Sequence, residues 1–172
     1  MMINIEQVSE PNESYLPELC ELLLDSINHG ASVGFHSELN EEKAHTYWQQ
    51  VYSSLSHGTV LWIAAEDEHV LGSVQLSQCQ KENGRHRAEV QKLFVHSSAR
   101  GKGISSKLMH TLESYALAHQ RTLLVLDTQT GSLAEQIYQH MGWTKAGEIP
   151  NYASSPDGTL HPTSYYYKEL KP

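Results

Sequence analysis

Apolar residues recur along this chain at two spacings, and the switches between them mark out its elements. INIEQV (3–8) alternates and predicts a short first strand. Leu16, Leu19, Leu23 and Ile27 recur at helical spacing with Gly30 as a stop. A second helix fits 41–55, between Asn40 as N-cap and Gly58. VLWIAAE and VLGSVQLS flank a polar turn at 67–69, which predicts a hairpin. AEVQKLFV (88–95) alternates again, and strict alternation puts Glu89, Gln91, Leu93 and Val95 on one face.

Beyond a glycine-containing turn, Ile104, Leu108, Leu112 and Ala116 predict a helix running to about residue 119. TLLVLDT is nearly all apolar, as a central strand covered on both faces should be. A short helix fits 133–141 and is stopped by Gly142. WTKAGEI and SYYYKEL read as a last pair of strands around a loop, NYASSPDGTLHPT (151–163). The order β-α-α-β-β-β-α-β-α-β-β predicts a mixed α/β domain with parallel pairing across the 105–119 helix.

Composition narrows the class. A chain of 172 residues is sized for one domain, 1–172. No apolar run is long enough for a bilayer and no basic-then-apolar leader precedes residue 20, so a soluble, cytoplasmic protein without a membrane partner is expected. Cys20 and Cys79 are too few and too far apart for a disulfide framework or zinc clamp. The eleven histidines are scattered without ligand spacing, so no metal is expected.

A net charge of -8 argues against nucleic acid as a partner. Its distribution says more: seven of the twelve basic residues lie between 81 and 107, where only Glu82 and Glu89 are acidic. A compact polyanion is thus drawn to one place on a surface that otherwise favours cations, unless these are simply solvated loop residues.

That basic segment contains VHSSARGKGISSKLM (95–109), the passage from strand to helix. A Walker A loop needs Gly-Lys-Ser/Thr after its glycines, and a dinucleotide fingerprint needs a third glycine at Ser106, so both readings fail on spacing. No nucleophile elbow or H-E-x-x-H motif occurs. What remains is a glycine turn before a helix N-terminus, with backbone N–H groups free to face an anion and Arg100 and Lys102 beside it. This suits a pyrophosphate, held across Arg100, Gly101, Lys102, Gly103, Ile104, Ser105 and Ser106.

Arg100, Gly103 and Ser105 resemble the Arg/Gln-x-x-Gly-x-Gly/Ala motif of the GCN5-related N-acetyltransferase (GNAT) family, and IYQHMGW (137–143) resembles its Tyr-x-x-x-Gly-Phe/Trp helix end. The resemblance covers most of the chain. It implies a mostly antiparallel sheet of about seven strands, flanked by four helices and splayed between central parallel strands. It implies acetyl-CoA as cosubstrate, its pantetheine arm lying along Leu93, Phe94 and Val95 and the Val95 N–H polarising the thioester. GASVGF, CQKENG, RAEVQKL, SARGKG, LDT and PDGTLHPT resemble a branch of the family that acetylates a β-lactam toxin.

Three positions depart from the family pattern. Ser105 fills the last Gly/Ala place, Ser97 stands where proline is common and would loosen the loop, and Gly131 stands where many members carry an asparagine that bonds the pantetheine.

Transfer of acetyl to an amine needs a base, because an amine of pKa near ~10 is mostly protonated at neutral pH. Glu89, on the strand beside the coenzyme, and Asp127, ending LLVLD, are the candidates. A facing pair would raise one another's pKa and attract a cationic amine. The alternative is that Glu89 pairs with Arg87 or Lys92 and Asp127 caps a loop. Tyr138 is the candidate acid for the leaving thiolate, or else a packing tyrosine.

The close resemblance suggests Gly34, Phe35, Tyr152, Asp157 and His161 for the acceptor, each equally compatible with loop structure. The expectation is an N-acetyltransferase for a small amine, amino-acid-like or a β-lactam toxin. A protein or peptide acetyltransferase and a non-catalytic acyl-CoA sensor stand as alternatives. The oligomeric state stays open, a homodimer included.

Overall fold

The computed structural model describes residues 2–31, 34, 35, 38–155 and 157–172. Its elements are β1 (Asn4–Val8), α1 (Leu16–Asn28), α2 (Glu41–Ser54), β2 (Thr59–Glu66), β3 (His69–Gln78), β4 (Arg87–Val95), α3 (Ile104–Ala118), β5 (Leu123–Gln129), α4 (Leu133–His140), β6 (Thr144–Ser154) and β7 (Leu160–Glu169). The seven strands form one sheet in the order β1-β2-β3-β4-β5-β7-β6. Among the described residues only β4 and β5 are parallel, joined across α3 as the sequence predicts.

Each face of the sheet has its own core. Leu19, Leu22 and Leu23 of α1 and Trp48 of α2 pack on one side with Leu61, Ile63 and Phe94. Ile104, Leu108 and Leu112 of α3 pack on the other with Val74, Leu76, Ala88, Val90, Leu124 and Leu126. Asn40 caps α2, its side chain accepting from Lys43 N–H at 2.9 Å.

Parallel pairing of β4 with β5 runs from Arg87↔Leu123 to Glu89↔Val125 and then stops. Beyond that rung the strands separate, giving the central opening. A β-bulge lies at the same place on the other side of β4. Ser73 faces Phe94 and Gln75 faces Gln91, so Val74 alone is opposed by two residues, Lys92 and Leu93. Lys92 takes the left-handed conformation, φ 55°.

The bulge corrects the strict alternation expected for this strand. Ala88 and Val90 face α3, and after the extra residue it is Leu93 and Val95 that do so, while Phe94 turns into the α1–α2 core. Gln91, opposite the Gln75 that donates to Tyr47 on α2, shares the α1–α2 face with Glu89. Glu89 therefore lies on the opposite face from Leu93 and Val95, because one inserted residue reverses the period of two.

The last two strands are also longer than their pattern suggests. The 151–163 segment is mostly strand, with Tyr152 in β6 and His161 in β7 and only a short connection between them. Pro150 and Asn151 are tolerated because β6 is the sheet edge and bulges there, Asn151 at φ 53°.

Gly72 on β3 sets how closely α3 approaches the sheet. A Cβ there would lie 2.9 Å from Ile104 Cγ2 and 2.9 Å from the Phe94 carbonyl oxygen. Gly72→Ala is expected to destabilise by about 1–3 kcal/mol through overpacking, measured by chemical denaturation.

Buried Glu135 at the start of α4 ties three elements together. It accepts from Gly131 N–H at 2.6 Å and from the Tyr166 hydroxyl at 2.8 Å, with Lys145 Nζ at 3.6 Å. Burial raises its pKa, but these bonds, one from Ser164 and the Lys145 charge together hold it below the usual carboxylate value. A depressed folded pKa gives stability that is present above the unfolded value, about 4.3, and lost as pH falls through the folded value. Glu135→Gln is expected to cost about 1–3 kcal/mol at pH 7, with the gap from wild type closing in denaturation curves taken progressively below about pH 4.3.

Candidate active site

The opening between β4 and β5 has two differently built sides. On the α3 side, Leu93 and Val95 are half-buried along β4, and the chain leaves the strand through a 3-10 turn, Ser97–Ala99, into Arg100–Gly103. Gly101 and Gly103 have φ of 78° and 71°, and a Cβ at either would meet nothing within 4 Å. Gly103 is the N-cap of α3 and no side chain caps that end. Arg100 and Lys102 are exposed beside it, with Ser105 half-buried and Ser106 exposed in the first turn. Open N–H groups, space above the glycines and two cations suit an anion.

Phe94 differs from its neighbours: its ring belongs to the opposite core, leaving only its backbone for this side. Ser97 also departs from its expectation. Its N–H donates to Asp25 Oδ2 at 2.8 Å and its hydroxyl to Oδ1 at 2.6 Å, so the approach to the turn is clamped to α1 rather than loosened. The N–H of Gly131, at the position read as a lost asparagine, is taken by Glu135.

On the α1–α2 side, Glu89 and Asp127 come together around Lys92 and Tyr165. Glu89 faces Val125 on β5, and Asp127 lies two residues further along that strand on the same side. Asp127 accepts a hydrogen bond from Thr163 Oγ1 at 2.8 Å, which orients its carboxylate. Burial lowers the Lys92 pKa, and the negative charges of Asp127 and Glu89 both oppose that shift. Tyr165, opposite Asp127 in the β5–β7 ladder, hydrogen-bonds Tyr152 through their hydroxyls at 3.0 Å. That bond, then burial and the charges of Asp127, Tyr152 and Glu89, push the Tyr165 phenol up to about 12.

Tyr138 stands on α4 against Trp143, ring centroids 5.9 Å apart. It is 7% exposed. Among the described residues, the sealed side-chain polar atoms without a partner are Trp48 Nε1, Ser73 Oγ and Trp143 Nε1, so the Tyr138 hydroxyl is not closed off. Burial raises its pKa and the Asp127 charge adds to this across the opening, so the phenol is protonated at neutral pH.

The acceptor-side residues suggested by sequence are less unified. Gly34 is exposed with φ 84°, and Phe35 packs edge-on against Tyr47 at 5.3 Å. Ser32, Val33 and Pro156 of the same islands lie outside the described residues. Tyr152 reaches the carboxylates through Tyr165. Asp157 spends its bonds locally, accepting from Thr159 N–H at 2.9 Å and Ser155 Oγ at 2.7 Å, which hold its carboxyl down at about 2. His161 Nε2 lies 3.0 Å from the same Ser155 hydroxyl.

Sequence reading missed Tyr165, Thr163 and Asp25, and took Lys92 only as a counter-ion. For Asp25 a signal existed: an acidic side chain in the last turn of a helix opposes the helix dipole and asks for a partner elsewhere.

A seven-stranded mixed sheet opened between its two parallel strands, with an uncapped glycine turn on one side and carboxylates on the other, has the architecture of the α/β acetyltransferases. The chain belongs to the acetyltransferase (GNAT) family, whose model matches residues 18–143.

Among curated proteins it is similar to N-acetyltransferase 8B of Rattus norvegicus, 33% identical over 93 residues, or 53% of this chain and 42% of that protein. It is also similar to N-acetylaspartate synthetase of Danio rerio, 24% identical over 71% of this chain and 42% of that one. The chain thus spans about two fifths of the length of these relatives. Among solved structures, an N-acetyltransferase from Staphylococcus aureus matches with TM-score 0.80 at 19% identity, covering 98% of this chain and 99% of the other. A Salmonella typhimurium protein solved with its cofactor acetyl-CoA matches with TM-score 0.78 at 15% identity, covering 100% and 96%. Among the described residues, no helix is long and apolar enough to cross a membrane.

Proposed function

We propose that the chain, as a single domain, is an acetyl-CoA-dependent N-acetyltransferase acting on the amine of a small, amino-acid-like molecule by direct attack in a ternary complex. The observation that carries this reading is the opening itself. An uncapped glycine turn lies on its α3 side, and Glu89, Asp127 and Lys92 lie on the other, so two reactants reach one gap from opposite faces.

Acetyl-CoA supplies an activated thioester carbonyl. The N–H groups of Gly101, Gly103 and the first turn of α3 hold its pyrophosphate with Arg100 and Lys102, and Leu93 and Val95 line its arm. Glu89 and Asp127 draw in the protonated amine and take the proton it must lose before its nitrogen attacks. Tyr138, protonated at neutral pH, returns a proton as the C–S bond breaks. Tyr138→Phe is therefore expected to lower kcat by about 10²-fold with little change in either KM, read by steady-state thiol release.

Lys92 supports the amino-acid-like acceptor, since one cation among two carboxylates complements an amine with a carboxylate beside it. A relative is named for making N-acetylaspartate. The islands GASVGF, CQKENG and PDGTLHPT resemble the tabtoxin resistance protein and place β-lactam toxins among the acceptors to test. A thiol-release screen of amino acids, simple amines, peptides and β-lactam toxins tests the reading. Turnover with amino acids above peptides supports it; turnover confined to peptides transfers it to protein acetylation. Tight coenzyme binding with no turnover makes the chain a sensor.

A further inference from the structure

The carboxylate in the last turn of α1 is fixed on the approach to the glycine turn. Asp25 is 72 positions from Ser97 in sequence, yet takes both the N–H and the hydroxyl of that residue, one on each carboxylate oxygen. Its side chain is 11% exposed. His96 Nε2 and His29 Nδ1 lie 3.7 and 3.3 Å from the same Oδ1. The Ser98 N–H at 3.2 Å from His96 Nδ1 holds the ring with its Nε2 edge toward Asp25. Burial raises the Asp25 pKa, but the two Ser97 bonds and the histidines outweigh it and hold the carboxyl below its usual value.

The geometry sets a direct path from this carboxylate to the anion turn. Ser97 opens the 3-10 turn Ser97–Ala99, and Arg100 follows immediately with its backbone extended into Gly101. A 3-10 turn this short has little hydrogen bonding of its own, so its orientation depends on its anchors. Behind it the His96 N–H donates to the Leu71 carbonyl at 2.8 Å, at its end Ala99 is buried in the α3-side core, and its first residue is held from α1, across the end of the sheet.

We propose that Asp25 is a positioning residue for the coenzyme: through Ser97 it fixes the start of the turn on which the pyrophosphate rests. This depends on the reading of that turn as the pyrophosphate site given above. The carboxylate itself touches neither reactant. Its effect is confined to the phosphate end of the coenzyme, which separates it from a general role in stability.

The test compares acetyl-CoA with S-acetylpantetheine, which has the thioester and arm but no pyrophosphate. In Asp25→Asn and Asp25→Ala, KM for acetyl-CoA is expected to rise about 10-fold with kcat within twofold, while the same parameters for S-acetylpantetheine stay unchanged. Ser97 heads a helical turn and its N–H serves Asp25, so proline fits that position once the carboxylate is gone. The double variant Asp25→Ala with Ser97→Pro is expected to recover acetyl-CoA binding, measured by calorimetry, to within about threefold of wild type.

Equal losses with both thioesters, or a lowered Tm with unchanged acetyl-CoA affinity in the folded variants, would overturn the proposal. Wild-type protein that binds S-acetylpantetheine as tightly as acetyl-CoA would instead overturn the pyrophosphate reading of the turn.

Discussion

Replacing Glu89 by Gln and Asp127 by Asn in one protein is expected to lower kcat/KM for the amine acceptor by about 10² to 10³ at pH 7. Both side chains stay similar in shape, but neither can take a proton. The deficit is expected to shrink as pH rises, because the fraction of amine already deprotonated in solution grows toward its own pKa near ~10. A pH profile of kcat/KM taken from 6 to 10 at constant ionic strength checks both the size and the slope. Parallel profiles for variant and wild type would remove proton transfer from these residues and leave them attracting the amine only. The single variants are informative because both charges act on Lys92 and Tyr165: losses that multiply indicate separate tasks, and losses that do not indicate one shared base.

The second large effect is expected at Gly103. Its φ of 71° excludes most side chains on backbone grounds, but asparagine tolerates that region. Because a Cβ there meets nothing within 4 Å, Gly103→Asn is expected to fold, with Tm lowered by only a few degrees. The new side chain stands where the pyrophosphate is proposed to sit and blocks its approach to the α3 N–H groups. Hydrogen bonds to a charged group are worth about 1.5–3 kcal/mol each, so losing one or two raises Kd for acetyl-CoA roughly 10- to 10³-fold. Calorimetric titration reads this directly. Unchanged affinity would move the coenzyme away from the turn.

The two variants divide the opening between its faces. Loss at Gly103 should appear in coenzyme affinity, and loss at Glu89 and Asp127 in the pH-dependent reaction of the amine. The bulge at Lys92 sets these two faces, since it turns Leu93 and Val95 toward α3 while Glu89 stays toward α1 and α2.

Much of the architecture was legible from local pattern. The periods of apolar residues located the strands and helices, and the 95–109 turn was legible as a glycine passage into a helix that matches no nucleotide spacing. Helix ends were readable where a side chain caps them, as at Asn40, because capping is a contact between near neighbours in sequence. The β6–β7 hairpin was less legible. Pro150, Asn151 and Gly158 carry loop chemistry, and only the position of β6 at the sheet edge makes them compatible with strand.

The sequence by itself determined the elements, their order, the glycine turn before α3 and the residue types able to move a proton, because these depend on spacing and on neighbours along the chain. The tertiary structure alone decided the rest. Which face Glu89 occupies depends on one bulged residue, and a period-two pattern cannot register the slip. The grouping of Glu89, Lys92, Asp127 and Tyr165 depends on strand pairing between distant segments. The clamp of Asp25 on Ser97 depends on α1 crossing the end of β4, a contact no local spacing encodes.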